Sequence, residues 1–170
     1  MTCEEAGRGP AGQRLVYDAW RSRLHGRAVL RREDLDLSGI VCELAHVSVL
    51  ANEAGRYRFR LAGTGLRQAF GRDLKGLSLE DLPASAGRGA WSDGVRETLD
   101  RVRPVSGRSI LEDGRVHFWM RLPMSTDGER ADLALCHDRF LAAEALSDPD
   151  RAARVADRLL RIDIDEVQAA

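Results

Sequence analysis

Two Asp-Gly dipeptides constrain the fold of this chain more than any other feature of its sequence. Asp113-Gly114 and Asp127-Gly128 each lie between segments in which apolar and polar side chains alternate. An Asp-Gly pair in such a setting is typical of a two-residue turn that joins antiparallel strands. The last third of the chain is therefore predicted to form three antiparallel strands joined by two hairpin turns.

Two-residue turns also predict which side chains share a face of this sheet. Ser109, Phe118 and His137 should lie in one row of an apolar face, and His117 and Asp138 should meet on the opposite face. His137 is then either a ligand contact or proton-sensitive group, or a half-exposed histidine bonded to a neighbour. For His117 and Asp138 we expect a structural pair, because a catalytic dyad needs a nucleophile and a cleft.

The middle of the chain predicts two further strands. In the segment 56–61, three arginines alternate with Tyr57, Phe59 and Leu61, which is the pattern of a half-buried strand. The apolar segment 46–51 precedes it, and the residues 52–55 between them favour a turn.

Amphipathic helices are predicted on either side of these strands. An apolar stripe with the spacing of a helix begins near Gln13, includes Val16 and Trp20, and ends before Gly26. A second stripe runs from Trp91 to Val102, and a third helix is expected in the tail after Asp148-Pro149.

A Gly-x-Gly turn follows the second of the middle strands and could suggest a phosphate-binding loop. A dinucleotide fingerprint needs a third glycine where this chain has Gln68, and a P-loop needs Ser or Thr after Gly-Lys. Gly63 and Gly65 are therefore expected to let the chain turn sharply off the strand, with no role in phosphate binding.

Composition excludes several classes of function. The 170 residues carry a net charge of −1, which argues against nucleic-acid binding, and no apolar segment is long enough to insert into a membrane. Cys3, Cys42 and Cys136 are widely spaced, which predicts neither a disulfide framework nor a metal site. A cytoplasmic protein is expected.

Two long segments of the sequence resemble those of a known family. These are RYRFRLAGTGLRQAFGRDLKGLSLEDL at 56–82 and GRSILEDGRVHFWMRLPMSTDGERADLAL at 107–135. Both are similar to a small, single-domain bacterial family of the PAS domain superfamily, and the likeness extends over about residues 15–140.

The resemblance implies an α+β fold with a PAS-like five-stranded antiparallel sheet, helices over its concave face, and flanking helices at both ends. It suggests a disordered start and N-terminal helical arm at 1–36, a PAS-like domain at 37–142 and a C-terminal helical tail at 143–170. Haem-binding relatives usually carry a histidine on the longer helix, and flavin photosensors a cysteine between the small helices. Neither is present here, so haem bound in that way and flavin photochemistry are not expected, and the cofactor is left open.

The function implied is that of a stand-alone sensory or protein-interaction module, with no enzymatic activity, that acts on a separate regulatory protein. A small apolar ligand is expected between the longer helix and the sheet. Its predicted lining consists of Phe59, Leu61, Trp91, Val95, Phe118, Met120, Leu135 and His137. The alternative is a small ligand carrier or enzyme on a similar sheet, for which His137 and Ser109 are the candidate polar groups.

The N-terminal helix must bury its apolar stripe against a partner surface. Leu15, Val16 and Trp20 are expected to pack on the sheet face that carries Trp119, either in the same chain or across a homodimer. The sequence leaves these two arrangements open.

Overall fold

The computed structural model describes residues 10–83 and 87–142. The predicted C-terminal helical tail at 143–170 and nearly all of the predicted disordered start lie outside the described residues. The described residues form three α-helices, which are α1 (Pro10–Ser22), α2 (Thr64–Phe70) and α3 (Arg88–Arg101). The six strands are β1 (Leu30–Arg31), β2 (Val47–Glu53), β3 (Arg56–Ala62), β4 (Val105–Ile110), β5 (Val116–Ser125) and β6 (Leu133–Leu141). Short 3-10 helices lie at Arg32–Asp34, Ser38–His46 and Leu79–Asp81.

All strands belong to one sheet with the order β1-β5-β6-β2-β3, and β4 also pairs with β5. The pairings are antiparallel except for the two-residue β1, which runs parallel to β5. The predicted α+β fold is confirmed, and the sheet has one short strand more than the five expected.

The Gly-x-Gly segment turns the chain from β3 into α2, as the sequence predicts, and its glycines also allow close packing. A Cβ atom built on Gly63 would collide with the backbone carbonyl groups of Leu44 and Ala45, and one on Gly65 would lie 2.8 Å from the Ala45 oxygen. Only glycine allows the end of β3 to approach the 3-10 segment so closely. Helix α2 then ends at Gly71, whose φ of 69° is the left-handed conformation that commonly ends helices.

The two Asp-Gly loops are longer than the predicted two-residue turns. The first spans 111–115 and the second 126–132, because side chains hold the wider loops in place. Asp113 accepts the Arg115 N–H at 3.0 Å, and Asp127 accepts the Glu129 N–H at 2.8 Å. The three antiparallel strands are confirmed, but their predicted register is wrong by one residue between β4 and β5 and by two between β5 and β6.

The sheet is covered on both faces, which divides the core in two. On the face under helix α3, called the inner face here, Phe59 of the sheet packs with Trp91 and Val95 of the helix in one apolar cluster. The opposite, outer face is covered by helix α1, with Val16 and Trp20 in the second cluster. The Trp20 indole also donates to the Pro123 carbonyl oxygen at 3.1 Å.

Helix α1 therefore packs on the sheet of its own chain, but on a different set of residues from the one expected. Its neighbours in the outer cluster include Met120, Leu122 and Leu135, whereas Trp119 lies on the inner face beside Gly94 and Gly107. The expectation that Trp119 shares a surface with the α1 stripe is wrong. The apolar face of β5 that was expected under α3 therefore lies under α1. The other face of β5 is buried as well.

Candidate functional site

Three polar side chains lie on the inner face of the sheet, beneath helix α3. His117 and Arg121 come from β5 and Asp138 comes from β6, and all three are fully buried. They share a face because β5 contributes alternate residues to each side of the sheet and the register places Asp138 opposite Trp119, between them. We call these three residues the inner polar cluster.

One carboxylate oxygen holds the inner polar cluster together. Asp138 Oδ1 accepts hydrogen bonds from His117 Nε2 at 2.7 Å and from Arg121 Nη2 at 2.8 Å. Arg121 Nη1 also donates to the Met120 carbonyl oxygen at 2.9 Å. The predicted contact between His117 and Asp138 is confirmed, although its face was expected to be the outer one.

Aromatic rings enclose the cluster. The His117 ring stacks between Trp91, with centroids 5.6 Å apart, and Phe140, with centroids 4.4 Å apart. The guanidinium carbon of Arg121 lies 4.3 Å from the Trp91 ring centroid and 5.5 Å from that of Trp119. Cations over aromatic faces are attracted by the ring quadrupole, and more strongly where water is excluded.

The environment keeps His117 neutral. Burial lowers the pKa of His117, and its hydrogen bond to Asp138 opposes burial without overcoming it. A neutral imidazole that donates through Nε2 has a bare acceptor at Nδ1.

Four polar side chains beneath or within α3 each have a buried atom without a hydrogen-bond partner among the described residues. These atoms are Trp91 Nε1, His117 Nδ1, Arg121 Nε and Asp138 Oδ2. A buried polar atom that lacks a partner costs about 1–3 kcal/mol, so such atoms call for an explanation. Two of the four are donors and two are acceptors, which is a set that a small polar molecule can satisfy.

A surface cleft adjoins this stack. It has a volume of about 450 Å³, and its lining includes Phe70, Pro83, Leu111, Arg115 and Phe140. Because Phe140 lines the cleft and also stacks on His117, the cleft lies one ring away from the inner polar cluster.

The nearby thiol is chemically inert. Cys136 is fully buried among the apolar residues of the inner face, and burial raises its pKa to about 12. A thiol that stays protonated at neutral pH is a poor nucleophile.

The predicted ligand lining does not come together at one place. Phe59, Trp91 and Val95 meet on the inner face, where the Phe59 and Trp91 rings lie 5.6 Å apart. Met120 and Leu135 belong to the outer cluster, and Leu61 is 39% exposed. The sheet thus separates the predicted lining residues into two groups, because Met120 and Leu135 were expected on the inner face and lie on the outer one.

Two further residues of the predicted lining lie on the outer side of the sheet. His137 pairs with Met120, and Phe118 pairs with Arg139, so both follow the face of Met120. Ser109 pairs with His117 on the inner face. His137 and Ser109, the polar pair that the enzyme or carrier alternative requires, therefore lie on opposite faces and form no common site.

His137 belongs to a second buried group, the outer polar cluster of Glu43, His137 and Arg139. His137 Nε2 donates to Glu43 Oε2 at 2.7 Å, and Arg139 donates to both Glu43 oxygens at 3.0 and 3.2 Å. Burial alone would raise the pKa of Glu43, but the bonds from His137 and Arg139 outweigh it and hold this pKa below its ordinary value. The first turn of α1 lies directly against this carboxylate, since a Cβ atom on Gly12 would be 2.5 Å from Glu43 Oε2.

Sequence reasoning missed Glu43 and Arg121 as site residues. Glu43 lies in an irregular segment 94 residues before its partner His137, so no local spacing links them. For Arg121 a signal was available, because a charge between Met120 and Leu122 in an apolar strand is unusual and calls for a buried partner.

Within the two described ranges, no helix has the length and apolar character that crossing a membrane requires. Among the same residues, His, Cys, Asp and Glu side chains form no group of three placed to hold a metal ion.

Several known proteins are similar to this chain. Solved structures similar to the chain include the PAS domain of a protein from Colwellia psychrerythraea, at 14% identity over 59% of this chain and 90% of that one, with a TM-score of 0.41. An RNA-binding light-oxygen-voltage receptor is similar at 14% identity over 78% of this chain and 39% of that one, with a TM-score of 0.46. The LOV protein of Rhodobacter sphaeroides is similar at 15% identity over 86% of this chain and 78% of that one, with a TM-score of 0.44. No curated protein matches the chain.

A family model described as a PAS domain matches residues 9–128, which is more than half of the chain. The match includes helix α1 and every described strand but β6. Of the two segments on which the resemblance rests, it includes all of 56–82 and the part of 107–135 up to Gly128. The chain belongs to the PAS domain family.

Proposed function

We propose that this PAS domain is a sensory module that binds a small polar molecule at the inner polar cluster and signals to a separate regulatory protein. The observation that carries the proposal is the set of four buried, unpartnered polar atoms on Trp91, His117, Arg121 and Asp138. The adjoining cleft at Phe140 gives the molecule a route of approach.

The charges and rings of the cluster define the class of ligand. Arg121 and Asp138 are paired and His117 is neutral, so an added anion or cation would remain uncompensated in a buried place. Trp91 Nε1 and Arg121 Nε offer donors, and Asp138 Oδ2 offers an acceptor. The ligand proposed is therefore a neutral, planar molecule with adjacent hydrogen-bond donor and acceptor groups, rather than the apolar one expected from the sequence.

Strand β6 offers a path from this site to the opposite face. Asp138 belongs to the inner polar cluster, while its neighbours His137 and Arg139 hold Glu43 beneath the first turn of α1. A ligand that displaces Asp138 also moves its neighbours His137 and Arg139, which hold Glu43 beneath α1. A ligand changes the balance between docked and released α1 only as far as it binds the two states with different affinity.

Helix α1 is the element that a partner is proposed to recognise. Released from the sheet, it presents Leu15, Val16 and Trp20 to another protein. The same residues would support a homodimer in which two copies exchange their helices, because an exchanged helix buries them on an identical surface.

Native mass spectrometry of the protein purified from cells tests the ligand. The wild type is expected to retain a small molecule that Trp91→Phe loses, because this change removes the indole N–H and keeps an aromatic ring. Trp20→Phe is the matched control, since it removes an indole from the outer face, and it is expected to retain the molecule. Protein that carries no small molecule, or equal retention by Trp91→Phe and the wild type, would refute the proposed site.

A further inference from the structure

A second cleft lies where the end of helix α1 and the loop after it meet the connection between α3 and β4. We call it the α1–α3 cleft. Its volume is about 410 Å³, and its lining includes the apolar or aromatic side chains of Tyr17, Trp20, Leu24, Val102 and Pro104. Pockets of this size and character hold small apolar groups, and a single large side chain fits within the volume.

Val102 lines this cleft in a backbone conformation that valine rarely adopts. It ends helix α3 with φ 49° and ψ 47°, in the left-handed region. Helix α2 ends in the same conformation on Gly71, and glycine is the usual residue there because a β-branched side chain is unfavourable. The Val102 side chain is also 39% exposed, so burial offsets only part of this strain. Packing within the described residues therefore gives little reason for a valine at this position.

The cleft is complete only while helix α1 lies on the sheet. Tyr17 and Trp20 of α1 form its floor and are each only 2% exposed, whereas Val102 and Pro104 form the opposite wall. This surface differs from the one that a released α1 would present. A partner bound in the cleft is therefore an addition to the proposed function and does not rest on it.

Positive charge surrounds the cleft. Residues 19–28 and 101–104, which form most of it, contain five arginines and no acidic residue. Ion pairs compensate part of this charge, since Asp34 and Asp36 each hold one arginine of the first segment.

Beside Val102 the charge is only half compensated. Arg101 and Arg103 share one carboxylate, that of Glu97, at N–O distances of 3.7 and 2.5 Å. Arg101 is 63% exposed, so its guanidinium group is open to solvent. Opposite charge on a partner would be attracted to this wall of the cleft, and such complementarity favours one class of partner over others.

We propose that the α1–α3 cleft is the docking site for an acidic segment of another protein. A large apolar side chain of that segment enters between Trp20 and Val102. Acidic residues on either side of it face Arg101 and Arg103. The strained valine then has a role, because its side chain completes the apolar wall. Since the floor belongs to α1, the bound segment also holds α1 on the sheet and lowers the fraction of molecules in which α1 is released.

Selection from a random peptide library displayed on phage tests the class of partner. Peptides selected on the full chain are expected to combine a large apolar residue with acidic ones. A synthetic copy of a selected peptide should bind more weakly as the salt concentration rises, because the charges are exposed. Failure to select any peptide, or selection of peptides without acidic residues, would overturn the proposal.

The variant Val102→Asn tests the position of the site. Fluorescence anisotropy should show that it binds the selected peptide at least about fivefold more weakly than the wild type, because the apolar wall is lost. Ile110→Asn is the matched control, since it removes an 80% exposed apolar side chain outside the cleft, and it should bind like the wild type. Equal affinity of Val102→Asn and the wild type would overturn the proposed site.

Thermal unfolding separates binding from packing at the same residue. Asparagine adopts the left-handed conformation more readily than valine, so Val102→Asn should melt no lower than the wild type. A lower melting temperature would give the valine a packing role and reject the explanation of its strain.

The variant Arg101→Gln tests the charge. It should weaken binding of the selected peptide by about two- to fivefold, whereas Arg108→Gln, an exposed arginine of β4, should not. Equal affinity of these two variants would reject an acidic partner. A wild-type dimer that Val102→Asn dissociates, together with no peptide binding, would assign the cleft to a second copy of the chain and reject the proposed partner.

Discussion

Glu43 joins the 3-10 segment to β6 through a buried ion pair, and its neutralisation is expected to destabilise the protein markedly. Its side chain is 1% exposed and accepts three hydrogen bonds, one from His137 and two from Arg139. The change Glu43→Gln keeps the volume and removes the charge, which leaves the Arg139 guanidinium without its counter-ion. Breaking a buried pair in this way typically costs 3–5 kcal/mol, and Arg139 is 13% exposed, so we expect about 3 kcal/mol.

The matched control is Glu33→Gln, which removes a carboxylate of similar geometry from the surface. Glu33 pairs with Arg31 at 2.7 Å, but its side chain is 64% exposed, so the loss should stay below about 1 kcal/mol. Denaturant unfolding followed by tryptophan fluorescence measures both free energies of unfolding. If Glu43→Gln costs no more than Glu33→Gln, the Coulombic gain of the buried pair only offsets its desolvation, and the reasoning is refuted.

The pH dependence of the same variant has a definite sign. Because the pKa of Glu43 is lowered in the folded state from an ordinary value of 4.5, its contribution is present above pH 4.5 and is lost as pH falls through the folded pKa. Wild type should therefore lose more free energy of unfolding below pH 4.5 than Glu43→Gln. Parallel losses in the two proteins would contradict this assignment.

Three further outcomes are expected. Burial, with the charges of Arg139 and His137, lowers the pKa of His46 from 6.5 to about 4. The wild type should therefore lose about 1–2 kcal/mol of its free energy of unfolding as pH falls from 6.5 to 4, a figure that allows for solvent screening of the half-buried ring. Denaturant unfolding of His46→Asn over the same pH range should lack this loss. Gly63→Ala should destabilise by about 2 kcal/mol or more in thermal unfolding, because the added Cβ meets rigid backbone carbonyls, whereas Gly39→Ala, with open space around it, should have little effect. Cys136 should resist alkylation at pH 8 until the protein unfolds, as followed by mass spectrometry.

The local elements of the fold were predictable from sequence, because their signals are local. The alternation around Phe59 predicts β3, and the stripe from Trp91 predicts α3 within a few residues of its observed bounds. Ser78 and Asp81 form a capping box at the start of the last 3-10 helix, and their Ser-x-x-Asp spacing is a signal of the same local kind. These patterns depend on neighbours within one turn or one strand, where spacing determines which side chains share a face.

Which face of the sheet lies under α3 and which under α1 was not predictable in the same way. The more apolar face was expected to lie under α3, but α1 buries the face of Met120 while α3 buries the face of His117. His117, Arg121 and Asp138 make the face under α3 the more polar one, and their mutual hydrogen bonds allow all three to be buried there. That pairing joins residues 17 and 21 positions apart, and only the assembled sheet brings them together.

The position of α1 changes what must be regarded as the smallest unit able to fold. A fragment that starts at residue 37 would leave Met120, Leu122 and Leu135 without their cover, and Glu43 without the helix turn beside it. Such a fragment would expose a large apolar surface to water and would tend to self-associate. The first helix belongs to the body of the protein, and any shortened version intended for binding studies should retain the chain from before Pro10.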